Sequence, residues 1–179
     1  MISFPDKKYQ IIYADPPWAY QTFNNITASR AHTSPYRSMR MIEIFELPVN
    51  DIVDNDCVLF LWATSSLLPE ALHTITDWGF EYKCVAFTWV KKNRTTNSWF
   101  WGMGSWTRNN SEFCLMGIKG NLKRHSMSIH SIVETKIEEH SKKPDEVRNR
   151  IVELMGDLPR IELFARQKIN GWDVWGNEV

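Results

Sequence analysis

Tyr9-Gln10-Ile11-Ile12-Tyr13-Ala14-Asp15-Pro16-Pro17-Trp18 is the stretch on which the reading of this chain turns. Its first six residues form a short run dominated by apolar and aromatic side chains, as in a strand covered on both faces. The run then stops. Pro16 and Pro17 have fixed φ angles and no backbone N–H, so no ladder passes through them. Working outward, Cys57–Ala63, Lys83–Val90 and Phe113–Ile118 read as further buried strands, and Arg160–Ala165 as a fifth. They are continuous rather than alternating, which suits the centre of a mostly parallel sheet.

Helices are expected between several of them. Ser66–Trp78 carries Leu68, Leu72 and Ile75 and stops at Gly79, a favourable residue just past a helix end. In Pro144–Met155, Pro144 suits the first helical position and Asp145 and Glu146 complement the helix dipole. Val147, Ile151, Leu154 and Met155 then form one apolar face. Met41–Leu47 reads as a further short helix. Strand, helix and strand in this order point to an α/β doubly wound fold with a mostly parallel sheet. Such sheets bind ligands beyond the carboxyl ends of their strands, which is where Asp15–Trp18 falls.

The chain has 179 residues, enough for one domain with a sizeable core. Its formal net charge is zero, so a basic footprint for nucleic acid has to be local. Candidate clusters are Lys91, Lys92 and Arg94, then Lys119, Lys123, Arg124 and His125. The nine tryptophans are unusual, since indole rings often end at surfaces where a ring can stack. Cys57, Cys84 and Cys114 show no metal-ligand spacing and an odd count, and read as reduced, buried thiols. Met1–Gln10 lacks an apolar signal core and no run is long enough to span a bilayer, so a soluble, cytoplasmic protein is expected. Two stretches, Gln21–Arg40 and Lys92–Asn110, are long for structureless loops and read as functional lids or disordered segments. Gly120–Glu139 is ambiguous between loop and helix. No Gly-rich loop ends in Gly-Lys-Ser/Thr, which removes nucleotide hydrolysis.

The strand-end motif offers acceptors, namely the Asp15 carboxylate and the Pro16 carbonyl. An exocyclic aromatic amine is a poor nucleophile because its lone pair is delocalised into the ring. Two acceptors gripping its N–H groups draw the nitrogen toward tetrahedral geometry and stabilise the positive charge that develops as a methyl group arrives. The rest is in-line positioning, with no metal required. Trp18 would supply a flat face for the target base, worth about 1–3 kcal/mol.

The chain resembles the DPPW-type adenine-N(6) methyltransferases, a family with eukaryotic members that modify mRNA and bacterial and phage members that modify DNA. The resemblance rests on ADPPW (Ala14–Trp18), SPYRSM (Ser34–Met39), LFLWAT (Leu59–Thr64) and WVK (Trp89–Lys91). It continues through EFCLMGIKGN (Glu112–Asn121), KPDEV (Lys143–Val147), IELFAR (Ile161–Arg166) and GWDVWGNE (Gly171–Glu178). It implies a Rossmann-like fold with the catalytic strand ahead of the cofactor strand, and S-adenosylmethionine as methyl donor. Asp15, Pro16, Pro17 and Trp18 would form the catalytic motif, with Tyr36, Trp89, Lys91 and Glu112 on the substrate side. Asp15, Pro17, Lys143, Glu162, Phe164, Arg166, Asn170, Asn177 and Glu178 would hold the cofactor, Lys143 through the methionine carboxylate. The compact form resembles phage and bacterial members, implying transfer to adenine in DNA. RNA is the alternative polymer and a homodimer is among the assemblies allowed. A catalytically silent nucleic-acid-binding subunit is the other reading, and the intact Asp15–Trp18 motif argues against it.

Overall fold

In the computed structural model, which describes residues 2–19, 38–104, 106–139 and 141–179, a single sheet of seven strands organises the chain. In chain order the elements are β1 (Tyr9–Ala14), α1 (Met41–Phe45), β2 (Val53–Thr64), α2 (Leu68–Asp77), β3 (Glu81–Lys92), β4 (Glu112–Lys119), β5 (Ile132–Lys136), α3 (Asp145–Met155), β6 (Arg160–Leu163) and β7 (Asp173–Trp175). The strand order is β5-β3-β4-β2-β1-β6-β7. β1 pairs in parallel with β2 and β6, β6 with β7, and β3 with β5, whereas β4 runs antiparallel to both its neighbours. Six strands thus share one direction, as expected of a mostly parallel sheet.

β1 and β2 read as continuous apolar runs because helices cover both faces of the sheet there. Ile12, Leu59 and Leu61 belong to a core shared with Ile44 of α1 and Ala71 and Ile75 of α2. Ile11, Tyr13, Val58 and Phe60 belong to a second core with Val147, Ile151 and Met155 of α3. Alternate residues of one strand feed different cores, so no polar face remains.

The helix ends follow their local signals. Past α2, Gly79 adopts φ +81°, its N–H bonds to Thr76 O at 2.9 Å and that of Phe80 bonds to Ile75 O at 2.9 Å. This pair of bonds is a Schellman cap, which glycine closes without the Cβ clash of a left-handed residue. α3 starts one residue later than expected, with Pro144 as N-cap rather than first helical residue. In α2 the buried positions are Ala71, Thr74 and Ile75, while Leu72 is 40% exposed. The apolar stripe is therefore rotated from the Leu68–Leu72–Ile75 face read from sequence.

Three further expectations are corrected. The first half of β3 is not buried, since Lys83, Cys84 and Val85 are exposed. Cys84 is accordingly an exposed thiol, unlike Cys57 and Cys114. The stretch Gly120–Glu139 contains a strand, β5, paired with the outer edge of β3. β7, which no apolar run announced, closes the opposite edge. The stretch Gln21–Arg40, read as a lid or a disordered segment, lies outside the described residues except for its last three positions. Among the described residues no helix is long and apolar enough to cross a membrane.

Candidate active site

The parallel strands bring their carboxyl ends to one edge, and β4, running the other way, brings its first residue. Ala14 stands opposite Leu61 and Leu163, Thr64 opposite Glu112, and Glu112 opposite Trp89. Leu163 in turn pairs with Trp175. Asp15, Glu112, Lys91, Phe164 and the residues after Trp175 consequently share that edge although they are scattered through the sequence.

Asp15 is the centre of a charge chain. Its Oδ2 accepts from Lys143 Nζ at 2.7 Å, and the same ammonium lies 3.3 Å from Glu112 Oε2. Lys91 Nζ bonds to the other oxygen of Glu112. Carboxylate, ammonium, carboxylate and ammonium alternate, so the cluster is neutral. Burial is the largest influence on Asp15 and raises its carboxyl above the ordinary aspartate range, with Lys143 opposing. Burial also disfavours the Lys143 ammonium, but Asp15 and Glu112 outweigh it and hold the charge on the lysine. For Glu112 the two lysines win over burial and its carboxyl is lowered. Of the two carboxylates, Asp15 is thus raised and Glu112 lowered. Lys143 is placed by the turn before α3, where Ser141 adopts φ +62°, and its ammonium lies 5.6 Å from the centre of the Trp62 ring.

The turn after β1 is closed by its own backbone. Trp18 N–H donates to Pro16 O at 2.8 Å and Met39 N–H to Pro17 O at 2.9 Å. A carbonyl has two lone pairs, so Pro16 keeps one for an incoming donor. The Trp18 ring is not the open stacking face expected of it. It is 8% exposed, and its indole N–H donates to Trp62 O at 3.0 Å, bracing the end of β1 against β2. Tyr36 lies outside the described residues.

On the substrate side, Trp89 is 4% exposed and its N–H donates to Thr135 Oγ1 at 2.8 Å. It is a core ring rather than a base contact, and it carries the Lys91 ammonium at 4.8 Å from its ring centre. Lys91 in turn is committed to Glu112 instead of reaching out to phosphate. Asn110 fixes this lysine's backbone, accepting from Lys91 N at 2.9 Å and donating to Lys91 O at 2.9 Å.

At the other end of the edge the chain turns sharply after β6. Phe164 adopts φ +61° and its ring meets Trp175 at 5.5 Å. A Cβ on Gly176 would lie 2.4 Å from Ala165 O, so only glycine permits the chain after β7 to pack on this turn. That packing sets Arg166 and Glu178 3.6 Å apart and places Asn177 between them in sequence, exposed. Of two further expected cofactor residues, Glu162 is near enough for its charge to help raise the Asp15 carboxyl but is engaged by Arg148, and Asn170 stands elsewhere. Both oxygens of Glu162 are gripped by Arg148, at 2.6 Å from Nε and 2.7 Å from NH2, in a pair with each residue under 9% exposed. Asn170 precedes Gly171, whose Cβ position is 3.0 Å from the guanidinium of Arg160 at the start of β6. That is the opposite edge of the sheet, so Asn170 is removed from the site.

Trp62 and Arg148 were not singled out from sequence. For Arg148 a signal exists: it lies beside Val147 and Ile151 on the buried side of α3, where a guanidinium requires a carboxylate partner. For Trp62 none exists beyond its position in a strand.

The sequence profile of the MT-A70 family matches residues 9–178. A Type II methyltransferase, M.MunI from a Mycoplasma species, is 33% identical over 98% of this chain and 79% of its own length. A putative N(6)-adenosine-methyltransferase MT-A70-like protein of Medicago truncatula is 30% identical over 96% of the chain. The human N(6)-adenosine-methyltransferase catalytic subunit METTL3 is 27% identical over 96% of the chain. The chain spans only 26% and 28% of those two longer proteins. With a match over nearly its whole length, and with the motif that resemblance singled out placed at the carboxyl edge of a mostly parallel sheet, the chain belongs to the MT-A70 family of methyltransferases.

Proposed function

We propose that the protein methylates the exocyclic amine of adenine in DNA, giving N(6)-methyladenine, with S-adenosylmethionine as donor. The observation that carries this reading is Asp15, a partly buried carboxylate of raised basicity held at the strand end by Lys143. The donor set fits the cofactor by chemistry. An acceptor at Asp15, the Pro17 turn, a cation at Lys143 and the group Phe164, Arg166, Asn177 and Glu178 suit a ligand carrying amine, carboxylate and hydroxyl groups. When bound, S-adenosylmethionine supplies an electrophilic methyl group.

The protein's own part is to hold the amine and remove a proton. Lys143 occupies Asp15 Oδ2, and Oδ1 has no protein donor among the described residues. Oδ1 and Pro16 O accept the two N–H groups of the adenine amine, concentrating its lone pair on nitrogen. With S-adenosylmethionine bound, as the N–C bond forms and the S–C bond breaks to leave a neutral thioether, Asp15 would accept the proton whose loss neutralises the nitrogen. A carboxyl raised by burial is a better base than a free aspartate. Glu112 keeps Lys143 charged, and Lys91 neutralises Glu112.

Identity and coverage are higher toward the Type II methyltransferase than toward the N(6)-adenosine-methyltransferases, and this supports DNA. The latter support adenine as the base and keep RNA as the second reading. Incubation with labelled S-adenosylmethionine and matched DNA and RNA oligonucleotides is expected to place label on adenine of the DNA. Label on cytosine, or on the protein alone, would sink the proposal, and label on RNA only would move it to the second reading.

A pH dependence follows from the burial of Asp15. The ionised carboxylate is the active form, so kcat falls as pH drops through its value. Because that value is raised, the acid limb is expected above the ordinary aspartate range. In Lys143→Met the opposing charge is gone, so the limb should shift further up and cofactor affinity should fall by about tenfold. A pH–kcat profile that is the same in both proteins would show that Lys143 does not act on Asp15.

A further inference from the structure

Among the described residues, the segment between β3 and β4 makes no direct contact with Asp15 or Lys143. From Asn93 to Ser111 the sequence holds two cations, Arg94 and Arg108, and no carboxylate, in a chain whose net charge is zero. It also holds three of the nine tryptophans. The division between these and the rest is sharp. Trp18, Trp62, Trp78, Trp89, Trp172 and Trp175 are all at most 9% exposed, whereas Trp99 is 44%, Trp101 61% and Trp106 99% exposed. Met103, between them, is 93% exposed.

The exposed rings stand on an ordered base. Phe100 N–H bonds to Lys91 O at 3.0 Å, Gly102 N–H to Asn109 O at 2.7 Å, and the Asn109 amide to Ser65 Oγ at 2.9 Å. The Asn93 side chain donates to Ser98 Oγ at 2.8 Å and Trp99 O at 3.1 Å. A Cβ on Gly104 would lie 1.8 Å from Thr107 O, so the backbone there is folded tightly on itself. Lys92 lies 5.4 Å from the Trp99 ring centre but is paired with Glu134 of β5, so the positive charge the segment has to offer is that of Arg94 and Arg108. The segment springs from Lys91 and returns at Glu112, next to the charge chain of Asp15.

A partner for this surface needs flat faces for the indoles and negative charge for the arginines. Nucleic acid has both, but in a duplex each base is already stacked on both sides, so free ring faces meet only unpaired bases. We propose that the described residues of the segment, 93–104 and 106–110, form a stacking platform for unpaired nucleotides flanking the target adenine, giving the enzyme a preference for single-stranded or locally opened substrate. This rests on the proposed action on nucleic acid.

The test compares wild type with the double variant Trp101→Ala/Trp106→Ala on a short adenine-containing oligodeoxynucleotide, single-stranded and annealed to its complement. The variant should bind the single strand about tenfold or more weakly and raise KM by the same factor. Its kcat at saturation and its duplex affinity should be nearly unchanged, and Trp101→Phe/Trp106→Phe should keep most of the affinity. Equal loss on both substrates, or no loss on either, overturns the platform. So does a change in oligomeric state with oligonucleotide affinity kept, which gives the surface to a second copy of the chain. If wild type methylates neither oligonucleotide nor its RNA counterpart, the proposed function falls instead, whatever the variants bind.

Discussion

Asp15→Ala is expected to lower kcat by about two to three orders of magnitude while changing oligonucleotide affinity far less. The magnitude is that of removing one preorganised group aimed at developing charge, roughly 3–4 kcal/mol. The split between kcat and binding follows because the carboxylate interacts most strongly as charge appears on the nitrogen, and such an interaction lowers the rate constant rather than the ground-state affinity. The structure adds a second expectation. Without Asp15 the Lys143 ammonium keeps Glu112 as partner, 3.3 Å away, so the cluster is left with one excess positive charge but no lysine without a carboxylate, and the variant should fold. Asp15→Asn is the stricter comparison, since it preserves shape and one acceptor but can take no proton. Single-turnover rates in Asp15→Asn close to wild type would show that the aspartate only shapes the turn after β1.

Glu162→Ala is expected to act on stability instead. Removing the carboxylate leaves Arg148 buried on the inner face of α3 with, among the described residues, Asp145 as its one remaining carboxylate and the Tyr13 ring beside it. Breaking one side of a buried ion pair costs about 3–5 kcal/mol. For a chain of this size that lowers the melting temperature by roughly 6–20 °C. The paired variant Glu162→Met/Arg148→Leu should recover much of the loss, because an apolar replacement removes the desolvation of both charges. A Glu162→Ala protein that melts like wild type but binds cofactor weakly would return Glu162 to the ligand role implied by its place in the IELFAR motif.

These two carboxylates mark what could and could not be read from the chain. Asp15 was legible because everything that places it is local: a strand of six residues, then two prolines that end the ladder. The cap of α2 at Gly79 and the extent of α3 were legible for the same reason, since backbone φ and hydrogen bonding within a few residues decide them. Glu162 also sits in a quoted motif, but its partner lies one helix away, and no window of sequence pairs it with Arg148. Trp18 and Trp89 carried an aromatic signature that suits either a stacking face or a core, and only packing against Trp62 and Thr135 chose the core. Asn170 is a cofactor residue only by the family resemblance, yet the connection after β6 has to return to the start of β7, which takes it to the far edge of the sheet. Local signals alone settle the class of fold, the end of β1 and the acceptors presented there. The tertiary structure decided that β4 runs against its neighbours and that Lys143 meets Asp15 across 128 positions. It also decided which rings are buried. The physical reason is range: dihedral preference and hydrophobic period act over a few residues, whereas charge pairing and burial are settled by whichever elements the sheet brings side by side.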